Sequence, residues 1–190
     1  MNRKVASLPL VFNSEKEKIP FLARMKKRAS KDFRWTRWRS LQNATLVAYW
    51  LYIFGKDKDA LEVCRFVAQY QFDGDHNFWA WVESALALQA RLFHSQRKEQ
   101  EATQCIERIR AAGFVEDRLK GIMIYGKKGY KEGIENAIAD GDKILEREWR
   151  LAMIQELTVL IELGGSRKWP VSKLEKEFND NLLRLQKLIQ

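Results

Sequence analysis

One stretch of this sequence can be laid on another by a single constant shift. It places Ala48 on Ala90, Trp50 on Leu92, Leu51 on Phe93, Lys56 on Lys98, Asp57 on Glu99, Asp59 on Glu101, Ala60 on Ala102 and Val67 on Ile109. An acid–alanine pair opens the second half of both copies. The repeated alanine has a physical use, because paired helices approach to about 8–10 Å only where a small side chain lets ridges seat in grooves. A period of roughly 34–47 residues built of helix pairs marks a stack in which each pair buries its apolar face on its neighbours.

The periodicity around the repeat is helical. Trp35, Trp38, Leu41, Thr45, Ala48 and Tyr52 recur at steps of three and four, widened by Leu46, Trp50 and Ile53, so they predict one face of a helix. Asp32 is placed to cap it and Gly55 to end it. Asp57 or Asp59 starts the next helix, with Ala60, Leu61, Cys64 and Val67 or Ala68 inward. "DGD" at 73–75 breaks the chain. A long helix through Phe78, Trp81, Val82, Ala85, Leu88, Leu92 and Phe93 follows, capped by Asp75 or Asn77, then one with Ala102, Cys105, Ile106 and Ile109, stopped by Gly113.

Beyond Gly113 the pattern loosens. A short helix carries Leu119, Ile122, Met123 and Tyr125, "GKKG" at 126–129 forms a turn, and a further helix presents Tyr130, Ile134, Ala137 and Ile138. "DGDK" at 140–143 is another break and cap. Ile144, Leu145, Trp149, Ala152, Met153, Leu157, Leu160 and Ile161 line the helix after it, which ends at Gly164 and Gly165. In the last helix Ser172 and Glu175 have capping-box spacing. Its apolar stripe is Leu174, Phe178, Leu182, Leu185, Leu188 and Ile189; Lys176, Glu177, Asp180, Arg184 and Lys187 form a wet face suited to a terminal capping helix.

Composition agrees with an all-α fold. Three prolines and ten glycines in 190 residues disfavour a loop-rich β architecture, and an apolar fraction of 46% supplies an ordinary core. The longest apolar run, "LVAYWLYIF" at 46–54, is about half of the ~20 residues a membrane span needs, so it predicts a buried helix. The leader lacks the long apolar region and cleavage site of a signal peptide. Cys64 and Cys105 sit at apolar helical positions without a CxxC, which predicts buried thiols and fits the cytoplasm.

Charge is distributed unevenly. Residues 1–40 hold twelve Lys/Arg against three Asp/Glu, an excess of nine, which is the whole formal net charge of +9. The expected organisation is therefore a basic N-terminal arm over residues 1–31 and a helical-repeat domain over 32–190. Such an arm attracts phosphate or an acidic protein surface.

Gly55 between paired helices, with the small residues Ala48, Ala60, Ala90 and Ala102, resembles tetratricopeptide-type helical repeats over about residues 41–113. The early Trp-Leu-Gly and terminal Pro of that pattern are absent, and the step from Ala48 to Ala90 is longer than that pattern's period. The resemblance implies an α-solenoid of antiparallel helix hairpins and, by analogy, protein binding. In size and divergence the chain is also similar to small bacterial immunity proteins, which implies neutralisation of a partner toxin.

The candidate partner-binding residues are Lys26, Lys27 and Arg28 in "MKKRASK", Arg34, Arg37 and Arg39 in "KDFRWTRWRS", and Trp79 as an aromatic anchor in a protein interface. Rings between arginines can stack bases while guanidinium groups hold phosphate; the same rings on one helix face are core. No catalytic, cofactor-binding or metal-binding set is expected. "DGDHNFWAW" at 73–81 lacks the later acidic ligands of a calcium loop, "GKKG" lacks the P-loop arrangement, and His94 has no nucleophile at helical spacing. Glu83 and Glu156 are the carboxylates placed for burial, whereas Glu101, Glu107, Glu146 and Glu162 read as helix-surface charges. The expected function is non-catalytic binding of a protein partner, with a toxin as its concrete form. The alternative is nucleic-acid binding by the basic segment, whose affinity would fall with salt.

Overall fold

The computed structural model describes residues 15–30, 34–72, 76–113, 121, 126–164 and 170–189, except the side chains of residues 15, 34–37 and 76–78. Among them the chain forms eight α-helices and no strand. These are α1 (Glu15–Ala29), α2 (Arg34–Ile53), α3 (Asp57–Val67), α4 (His76–Ser95), α5 (Glu99–Ala111), α6 (Lys127–Ala139), α7 (Lys143–Gly164) and α8 (Val171–Ile189). The fold is the expected all-helical stack, with neighbours in sequence packing as neighbours in space. The chain divides into two compact units, Met1–Val82 and Glu83–Gln190, with the division inside α4.

In the first unit α1 packs on both α2 and α3, and α2 packs on α3. From Ala44 onward α2 is buried almost all round: Val47, Ala48, Tyr49, Trp50, Leu51 and Ile53 are each at most 4% exposed. The apolar run is thus a core helix, and not a single stripe. Over Glu15–Ala29 the basic N-terminal segment is a helix docked on α2 and α3. Leu22, Met25 and Ala29 face inward, spaced by three and four residues. Thr45 donates from Oγ1 to the carbonyl of Trp81 at 3.3 Å, tying α2 to the first turns of α4.

In the second unit α6 packs on α7, and α7 on α8. Helix α7 is central, with Leu151, Met153, Ile154, Leu157, Val159, Leu160, Ile161 and Leu163 buried. The expected inward residues Ile144, Leu145 and Ile138 are instead exposed, at 46%, 37% and 49%. They lie on either side of the α6–α7 corner, at the end of α6 and the start of α7. Gly133 of α6 lies against Trp149 of α7. A Cβ there would fall 2.5 Å from the indole Cε2, so only glycine allows this approach. "GKKG" is not a turn: Gly126 is αR and α6 begins at Lys127.

One corner recurs three times. The amide of Lys56 donates to Leu51 O at 2.8 Å and that of Gly55 to Tyr52 O at 2.9 Å. Lys98 to Phe93 at 2.9 Å and Arg97 to His94 at 3.0 Å repeat it, and so do Asp142 to Ala137 at 2.9 Å and Gly141 to Ile138 at 3.1 Å. This is the Schellman closure, which needs a left-handed residue at its bend. Gly55 and Gly141 supply it at φ +70° and +68°, but Arg97 does so at +59°. The first two corners coincide, position for position, under the shift that lays Ala48 on Ala90. At the third, Asp142 accepts from the amides of Ile144 and Leu145 at 3.0 Å each and caps α7.

Candidate interaction surface

Lys26, Lys27 and Arg28 fill the last turn of α1 and are exposed. Cations there complement the helix dipole. Lys26 also holds its ammonium 5.8 Å from the centre of the Phe66 ring. Arg39 is exposed on α2, whereas Trp38 is half-buried. The side chains of Arg34, Arg37 and Trp35, and all of Lys31, Asp32 and Phe33, lie outside the described residues, as do Asp73–Asp75 of the "DGD" break. Trp79 is not an outward anchor. It is 7% exposed, with its ring 6.4 Å from that of Phe72.

Two cations that the sequence reading passed over share the α1 surface: Lys16 and Arg24 are exposed. Arg24 stands at helical spacing from Lys27 and Arg28, and that spacing is the signal that finds it. Lys18 does the opposite. It is 3% exposed and reaches Asp59 at 2.9 Å and Glu62 at 2.7 Å on α3. The basic segment is therefore sorted, one cation into the docking seam and the others outward.

Several ionisable groups of the second unit are tied between helices. Arg91 of α4 forms a two-pronged pair with Glu175 of α8, at 3.0 and 2.9 Å, and reaches Glu162 of α7 at 3.3 Å. Its guanidinium stacks 4.1 Å from the centre of the Phe178 ring. The imidazole of His94 bridges Glu99 at 2.8 Å and Glu162 at 3.4 Å. Burial pushes the Glu162 carboxyl above its ordinary range, and the charges of Arg91 and His94 only partly offset this. Glu175 thus serves Arg91; the amides of Lys173 and Leu174 bond to the carbonyl of Pro170, so the expected Ser172 capping box does not form.

Glu146, a surface charge by its sequence position, is 3% exposed. It accepts from Arg150 Nε at 2.8 Å and Arg184 Nε at 3.0 Å. Burial pushes its carboxyl up, but the hydrogen bonds and charges of Arg184 and Arg150 outweigh that and hold it below the usual range. Arg150 also donates to Asn181 at 2.9 Å, and Lys127 pairs with Glu177. Glu83 is buried at 1%, while Glu156 is half-buried and accepts from the Tyr130 hydroxyl at 3.3 Å. Cys64 and Cys105 are both buried. Among the described residues no group of three or more His, Cys, Asp or Glu is arranged to hold a metal ion. None of the described helices is long and apolar enough to cross a membrane.

The class of protein defined here is an all-α helical-repeat protein, its hairpins closed by one recurring corner and tied by ion pairs between helices. The chain belongs to a family of unknown function (DUF6707), which it matches over residues 10–187. No curated protein and no solved structure matches it.

Proposed function

We propose that this chain is a non-catalytic protein-binding helical-repeat protein. Its concrete form is a cytoplasmic immunity protein that neutralises a toxin by covering the toxin's active surface. The observation that carries the reading is the division of charge. Lys18, Glu146 and Glu162, all buried or nearly so, are held in ion pairs between helices, whereas the other cations of α1 are exposed. Charge buried in this way serves packing and specificity. Charge left outside steers an acidic partner and speeds encounter. Occlusion asks only for a rigid surface burying on the order of 1,200–2,000 Å² in the complex.

The test is co-expression with the product of the adjacent reading frame. Growth arrest by that product, relieved by this chain and accompanied by a purified complex of the two, is the expected result. Relief without a complex, or no relief, rejects neutralisation. Nucleic-acid binding is the second reading, favoured by the exposed positions of Lys26, Lys27, Arg28 and Arg39. It requires retention on a phosphate resin that falls steeply with salt.

A further inference from the structure

We propose that the outward face of α1 is a docking surface for an acidic protein surface, with Ile19 as its apolar contact along one edge and Lys16, Arg24, Lys27 and Arg28 as the cations beside it. This rests on the protein-binding reading and names the surface and the chemistry of the partner.

Two strips with the same spacing run along α1. Lys18, Leu22, Met25 and Ala29, separated by four, three and four residues, are all buried. Lys16, Pro20, Ala23 and Lys27, with the same separations, are all exposed. The inward strip accounts for the docking of the helix. The outward strip spans about 16 Å. Arg24 and Arg28 flank it on one side and Ile19 on the other. Among the described residues none of Lys16, Arg24, Lys27 and Arg28 is paired with a carboxylate. Lys26 is set apart from them by its place over the Phe66 ring.

Ile19 decides between kinds of polyanion. At 62% it is the most exposed large apolar side chain among the described residues. A phosphate backbone gains from the cations but has no use for an isoleucine among them. A bilayer needs a whole apolar face, and that of α1 is already spent on α2 and α3. A protein interface combines apolar contact with polar and charged groups beside it, and an exposed isoleucine next to a row of cations offers both. Charge complementarity then makes the partner acidic.

The test is fluorescence anisotropy on the full chain. The probe is a labelled amphipathic helical peptide with glutamates beside a leucine strip, compared with its glutamine counterpart and with duplex DNA of mixed sequence. Tighter binding of the glutamate peptide is expected. R24E/K27E/R28E weakens it about tenfold or more, and Ile19→Ser roughly threefold. Lys16→Glu weakens it as well, and it keeps α1 intact because an acid at a helix N-terminus suits the dipole. Equal binding of the two peptides overturns the proposal, as does DNA binding that matches the peptide and ignores Ile19→Ser. A dimer that Ile19→Ser dissociates also overturns it, by assigning the face to a second copy. Relief of growth arrest that persists in R24E/K27E/R28E rejects this surface but leaves neutralisation standing. Peptide binding without relief does the reverse.

Discussion

Replacing Arg91 with methionine tests the ion-pair network of the second unit most directly. The substitution keeps an aliphatic stem but removes the cation from between Glu162 and Glu175 and from over the Phe178 ring. Glu175 is about a third exposed, so losing its half of the pair is screened by water and costs about 0–1 kcal/mol. The stacking of guanidinium on the ring contributes about 0.5–2 kcal/mol. Glu162 is different: its side chain is 6% exposed. Breaking a buried pair by removing one partner costs about 3–5 kcal/mol when the remaining charge stays ionised. Glu162 avoids part of that by taking up a proton, which burial already favours. A total loss of about 2–4 kcal/mol at neutral pH follows.

The sign of the pH dependence is fixed by the same group. A carboxyl raised in the folded state contributes stability that is present below its unfolded value and lost as pH rises through its folded one. Without Arg91 the folded value climbs further, so the defect of Arg91→Met must shrink as pH falls toward the carboxylate range. Urea unfolding followed by circular dichroism at neutral and mildly acid pH measures both. R91M/E162Q should recover much of the loss, because no buried charge is then left alone. A defect under about 1 kcal/mol, one that is the same at both pH values, or one untouched by Glu162→Gln would refute the reasoning.

Other substitutions give outcomes of either sign. Arg97→Gly should stabilise the α4–α5 corner by about 0.5–1 kcal/mol, since a left-handed L-residue costs about 1–2 kcal/mol and glycine returns part of it as chain entropy. Gly141→Ala should destabilise by about 1 kcal/mol through the backbone alone, because nothing lies within 4 Å of its would-be Cβ. Gly133→Ala should destabilise by about 1–2 kcal/mol and shift the Trp149 fluorescence, despite a helix-propensity gain of about 1 kcal/mol. Glu146→Gln should cost about 1–3 kcal/mol at neutral pH in urea unfolding. Because the Glu146 carboxyl is lowered, its contribution is present above its ordinary value and lost as pH falls through the folded one, so wild type and variant should converge in acid.

The corners were legible in the sequence because they are local. The shift that lays Ala48 on Ala90 also lays Lys56 on Lys98 and Leu51 on Phe93, the residues that close the first two corners. Arg97 escaped notice as a bend residue because glycine was the cue, and the backbone imposed there what the side chain disfavours. Ile138, Ile144 and Leu145 fall on apolar strips, and periodicity finds such a strip but not which of its residues a neighbouring helix covers. Ser172 and Glu175 had the spacing of a cap, yet a cation from another helix claimed the carboxylate. Arg91 and its partners lie 71 and 84 residues apart, beyond any local pattern. The α1 cations were found as a run, but their division into inward and outward needed the helix angle of each.

That division bears on why the segment is basic at all. Lys18 lies on the strip of Leu22, Met25 and Ala29, so docking α1 carries its ammonium into the seam. Asp59 and Glu62, one turn apart on α3, meet it there. Folding thus explains one cation and the two acids that answer it. The dipole at the end of α1 explains something of Lys27 and Arg28, but only tenths of a kcal/mol where solvent is near. It explains nothing of Arg24, in mid-helix, or of Lys16, at the end where a cation is disfavoured. A helix that needed only to dock would gain by an acid at position 16 and by pairing Arg24 with one four residues away. Neither is present, and Ile19 stands exposed beside them. The stability of the unit therefore does not account for the outer face of α1, and the docking role proposed above would account for its unpaired charge and exposed apolar surface together.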